Sequence, residues 1–171
     1  PHVYRSIGYD PLKDFVPIVN VAYPEGVMVV RPESGIKTLA ELVDYSKAHP
    51  GQLNYGTAGN GTVPHLNMES LKSVTGLDIQ HIPYKSSPDA VAAVIAGDTH
   101  MATLAPNAVT GHAKAGTIKM IAVSTPKRWP ALPDVPTFAE QGVEGVQAEA
   151  WMAMVAPAAT PDAIVDRLYK E

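Results

Sequence analysis

The chain has 171 residues, no cysteine and a formal net charge of −4, with 46% apolar and 18% charged residues. That length holds one ample α/β domain or one domain plus part of another, and the apolar content is too high for a disordered chain. Disulfides, thiolate zinc sites and thiol nucleophiles are excluded, while the lack of a Lys/Arg-rich stripe or a bilayer-length apolar run argues against nucleic acid as a partner and against a membrane span.

In chain order, the opening Pro1-His2-Val3-Tyr4 does not read as a translation start, so a processed or trimmed fragment is expected. Residues 15–22 and 27–30 are rich in β-branched side chains and predict strands. Thr38-Leu-Ala-Glu41 forms a capping box before a helix that His49-Pro50-Gly51 ends. A strand at 53–55 leads through a glycine-rich stretch into an amphipathic helix beginning near Thr62, with Thr62 or Asn60 as its cap and Pro64 in its first turn. A strand at 79–84 precedes a helix started by Ser87-Pro88 and closed by Gly97. Strands at 100–105 and 118–125 flank a helix over 106–115. A proline-rich connector over 126–136, a short helix at Thr137, a strand over 148–155 and a helix from Thr160-Pro161-Asp162 complete the chain. Such alternation implies an α/β fold: a mostly parallel sheet with helices on both faces.

The most informative stretch is Tyr55-Gly-Thr-Ala-Gly-Asn-Gly-Thr62, followed by His65. Small residues between a strand and a helix let backbone amides approach a ligand, and the helix amino terminus carries unpaired N–H groups and partial positive charge. Anion binding is one reading; an ordinary strand-to-helix turn is the other. In a parallel sheet, ligands bind beyond the carboxyl ends of the strands, so the turns at Tyr84-Lys85 and at 103–107 belong to the same edge. His65 is placed either to donate to a bound carboxylate or to brace the loop, whereas His81 and His100 read as buried, satisfied residues. No metal site is expected, because the six histidines form no ligand-spaced pair. The loop also lacks a P-loop ending, and neither a Gly-x-Ser-x-Gly elbow nor a paired-carboxylate arrangement occurs. Binding without a cofactor is therefore favoured over catalysis; an isomerase or lyase built on His65 would have no second catalytic group.

Six segments together resemble one family. They are residues 9–18, 53–62 with His65-Leu66, His81-Ile-Pro-Tyr-Lys85, Lys114-Ala-Gly-Thr-Ile-Lys119, the stretch 132–142 and Trp151-Met-Ala-Met-Val-Ala-Pro157. In order and spacing the chain is similar to the tripartite tricarboxylate transporter (Bug-type) receptors. The resemblance implies an extracytoplasmic, periplasmic solute-binding protein of type II periplasmic-binding-protein fold, not an enzyme, working with membrane subunits of a transporter. It implies three parts: 1–22 as entry segment and first hinge strand, 23–147 as the second lobe, and 148–171 as return strand and helix of a largely absent first lobe. Matched position by position, Thr57, Ala58, Gly59, Asn60, Gly61, Thr62 and His65 correspond to the carboxylate loop, and Tyr84 and Lys85 to a Tyr-Lys turn. Where many members have Phe-Asp, this chain has Thr103-Leu104, which implies a small organic carboxylate without an ammonium group beside Leu104. The two crossing strands invite a strand-exchanged dimer. The alternative reading is the effector-sensing module of a bacterial transcriptional regulator, which shares the two-lobe architecture.

Overall fold

A computed structural model describes residues 7–22, 26–146 and 152–171. The chain divides into two compact units, residues 1–24 with 150–171 and residues 25–149. The smaller unit pairs β1 (Phe15–Ala22) antiparallel with β7 (Met152–Pro157), from Phe15 opposite Pro157 to Ala22 opposite Met152. The helix α5 (Asp162–Lys170) accompanies them. Because β1 and β7 satisfy each other within one chain, strand exchange is not needed to pair them. Residues 148–151 of the last expected strand, Trp151 included, lie outside the described residues.

The larger unit is a five-stranded sheet in the order β4-β3-β5-β2-β6. Its strands are β2 (Val27–Val30), β3 (Leu53–Thr57), β4 (Ile79–Pro83), β5 (Met101–Leu104) and β6 (Lys119–Val123). Strands β4, β3 and β5 are parallel neighbours; β2 runs antiparallel to both β5 and β6. Four strands therefore point one way and β2 opposes them, so the sheet is mixed. The helices are α1 (Leu39–Ala48), α2 (Val63–Thr75), α3 (Ser87–Ala96) and α4 (Pro106–Lys114).

Side-chain alternation along the strands builds two cores, one on each face. Met28, Val30, Leu53, Tyr55 and Met101 meet Leu39, Leu42, Met68 and Leu71 of α1 and α2 on the first face. Val27, Val29, Ala102 and Leu104 meet Ala90, Val91, Val94 and Val109 of α3 and α4 on the second. Local signals set the helix ends. Thr38 caps α1 by accepting the Glu41 N–H at 3.2 Å. Ser86, one residue earlier than the sequence reading placed it, caps α3 by accepting the Asp89 N–H at 3.3 Å. Gly76 and Gly97 end α2 and α3 in the left-handed region, which glycine enters without penalty. The register puts Thr57, Pro83, Leu104, Val123 and the start of β2 on one sheet edge. The candidate site lies along that edge.

Candidate functional site

The loop between β3 and α2 is held from below by its own side chains. Thr57 is fully buried, and its Oγ1 donates to the Gly59 carbonyl at 3.2 Å while accepting the Gly59 N–H at 3.3 Å. Thr62 occupies the cap position of α2 without capping it; its hydroxyl donates to the same Gly59 carbonyl at 2.8 Å. The cap expected from Thr62 or Asn60 is thus not made, because the Thr62 hydroxyl is committed to the loop. The Gly61 N–H instead donates to His65 Nδ1 at 3.1 Å, so a neutral His65 carries its proton on Nε2. His65 braces the loop. Gly59 and Gly61 have φ of 127° and 72°, a region that penalises any Cβ.

With those bonds assigned, the N–H groups of Ala58, Asn60, Thr62 and Val63 make no hydrogen bond among the described residues. Four unpaired donors line the loop that leads into the first residue of a 13-residue helix. That arrangement suits a carboxylate. Lys85, exposed on the neighbouring turn, adds a positive charge to the same edge. A cavity of about 280 Å³ at the β6 end is lined by Ser124, Thr125, Pro126, Phe138, Glu144 and Val146 among others. Nearby, Ser124 Oγ accepts the Gly26 N–H at 3.1 Å.

Beneath the loop runs an aromatic stack. The His81 ring lies between Tyr55, at a centroid distance of 4.8 Å, and His65, at 4.1 Å. His81 Nε2 is 2.7 Å from Thr57 Oγ1. Burial, with a smaller contribution from the neighbouring His65, pushes the His81 imidazole down to about 4. The Tyr55 hydroxyl donates to Glu69 at 2.8 Å, and burial followed by this carboxylate raises the phenol far above its ordinary value. Glu69 is held below the usual carboxylate range: partial burial opposes this, but hydrogen bonds from Lys72 and Tyr55 outweigh it.

Two expected site residues face elsewhere. Leu104 is fully buried in the second core, where the pleat sends it away from α2, so its side chain is not among the groups on the crevice edge. Selectivity against an ammonium group would therefore need a residue other than Leu104. The Tyr84 ring packs on the same core above Gly56, where a Cβ would sit 3.1 Å from the ring. Only the Tyr84 backbone serves the loop, its N–H donating to the Thr57 carbonyl at 2.9 Å. Sequence reasoning passed over His81 as part of this constellation. Its contact with Thr57 crosses adjacent parallel strands 24 residues apart, and no local motif encodes such a contact.

Residues 1–171 match the family described as tripartite tricarboxylate transporter family receptor. A UPF0065 protein in the gbd 5′ region of Cupriavidus necator is 36% identical over 173 residues, covering 98% of this chain and 52% of that protein. BugT of Bordetella pertussis is 32% identical over 160 residues, covering 94% of this chain and 49% of BugT. Among solved structures, R. palustris Rpa4515 with adipate has a TM-score of 0.90 at 36% identity, covering 97% of this chain and 56% of that one. MatC from Rhodopseudomonas palustris with bound malate has a TM-score of 0.84 at 28% identity, covering 97% and 56%. The chain spans about half the length of these relatives. With a match over every residue and a shared fold, this chain belongs to the tripartite tricarboxylate transporter receptor family.

Proposed function

We propose that this chain supplies the carboxylate-gripping half of a periplasmic solute-binding receptor, with the unit 25–149 as its second lobe and the β1/β7 pair as the hinge crossing. The receptor would deliver a small organic carboxylate to the membrane subunits of a tripartite transporter, with no chemical conversion and no cofactor. One observation carries the reading: four unpaired N–H groups, from Ala58 to Val63, surround one helix start on a braced glycine loop. Two structural relatives hold adipate and malate, which supports an organic acid as the ligand class. Ala58, Gly59, Asn60, Gly61, Thr62 and Lys85 are assigned to ligand contact, and Thr57 and His65 to holding the loop.

The test is an amide NMR titration of the chain with adipate and with malate. Shifts are expected to concentrate on Ala58, Asn60, Thr62 and Val63 and to vanish in Gly61→Val, whose side chain is forced into an unfavourable left-handed backbone. Shifts scattered over the surface, or unchanged in the variant, would refute the assignment.

A further inference from the structure

We infer that His81 is a positioning residue of the anion loop, acting through the Thr57 hydroxyl to fix the Gly59 peptide so that the Asn60 N–H points outward. This deepens the carboxylate-loop reading and rests on it. The chain of contacts is continuous: His81 Nε2 to Thr57 Oγ1 at 2.7 Å, and Thr57 Oγ1 to both polar groups of Gly59 at 3.2 and 3.3 Å. A hydroxyl has a single proton. With that proton on the Gly59 carbonyl and the Gly59 N–H donated to the oxygen, His81 contributes an Nε2–H to the oxygen's remaining lone pair.

The Gly59 carbonyl is consequently drawn inward by Thr57 and Thr62. In a trans peptide the carbonyl and the following N–H point in opposite directions, so the Asn60 N–H is aimed away from those two threonines. Gly59, at φ 127°, has no Cβ to restrict that peptide, so the hydrogen bonds supply the restraint. The imidazole is itself fixed. Tyr55 from β3 stacks on one side and His65 from α2 on the other, with Glu69 and Lys72 of α2 as the charged groups of the cluster. His81 belongs to β4, the strand beside β3, so the loop is referenced to the sheet and not only to itself.

The test uses the chain without ligand. Imidazole nitrogen NMR is expected to find His81 as the Nε2–H tautomer at neutral pH. His81→Phe, which keeps a stacked ring, and Thr57→Val should each speed hydrogen exchange of the Gly59 amide by about tenfold or more, and the double variant no further. His81→Gln, whose side-chain amide reaches the Nε2 position, and Thr57→Ser should restore exchange to within about threefold of wild type. Exchange at Val29 and Ile121 reports whether each variant is folded; if His81→Phe is not, the Thr57→Val, Thr57→Ser and His81→Gln comparison decides.

An Nδ1–H tautomer, unchanged Gly59 exchange, or additive effects in the double variant would overturn the proposal and leave His81 as a packing residue. A parallel adipate titration separates the two readings. Loop shifts in wild type with normal exchange in the variants defeat only the role of His81. Altered exchange with no loop shifts defeats the carboxylate assignment.

Discussion

At the residue scale, His81 does what neither its type nor its neighbours in sequence announce. A histidine whose folded value is depressed to about 4 from 6.5 stays neutral in the folded chain while the unfolded chain takes up a proton. Its contribution to stability is fully present above pH 6.5. It drains away as the pH falls from 6.5 through about 4, because the unfolded state binds the extra proton throughout that window. Urea unfolding at pH 7 and pH 4.5 is expected to show a lower midpoint at the acid end, and His81→Phe to lose part of that difference. Equal pH dependence in wild type and variant would show that the imidazole does not carry the effect. Gly56 acts at the same scale: its missing side chain leaves room for the Tyr84 ring, which packs partly buried against the second core.

Single elements owe their ends to local chemistry, and their usefulness to which end faces the edge. Helix α1 starts at Thr38, which accepts the Glu41 N–H, while the Glu41 carboxylate accepts from the Lys37 N–H and not, as a reciprocal capping box would, from Thr38. Thr38→Ala removes the acceptor for the Glu41 N–H, and a loss of about 1 kcal/mol in unfolding free energy is expected by chemical denaturation. A loss near zero would mean that water replaces the cap. Helix α2 is the contrast. Its cap residue gives its hydroxyl to the loop, and the helix keeps free donors at its amino terminus. In the proposed role, a helix left uncapped at this edge forgoes a little stability for an anion site.

At the scale of the whole molecule, the energetics favour the proposed role of such a loop as half of a clamp. A helix terminus contributes about 0.3–1 kcal/mol to a bound anion, up to about 2 when partly buried. Charge-assisted hydrogen bonds add about 1.5–3 kcal/mol each. Against this stand several kcal/mol for desolvating a carboxylate and about 4–15 for association. The few donors of this loop barely offset those costs. Calorimetry and NMR on this chain are therefore expected to give dissociation constants for mono- and dicarboxylates no tighter than roughly millimolar. Micromolar binding would show that this chain suffices by itself. The small β1/β7/α5 unit exposes Met152, Met154, Val155, Ile164 and Leu168.

Much of the architecture was legible in the sequence because it is written locally. Runs of β-branched and apolar residues marked the strands, Thr38 and Gly97 marked helix ends, and strand–helix alternation called for a layered α/β sheet. The glycine loop announced itself through residue types that only a tight turn or a close ligand requires. Three things were decided by tertiary structure alone. The antiparallel course of β2 depends on which strands it joins, and an apolar four-residue run reads the same in either direction. The inward turn of Leu104 and Tyr84 depends on the pleat and on the space above Gly56, not on their position after a strand. The Tyr55–His81–His65 stack and its bond to Thr57 exist because β3 and β4 are parallel neighbours under α2. Side chains far apart in sequence acquire a joint role only when the register of two strands brings them together.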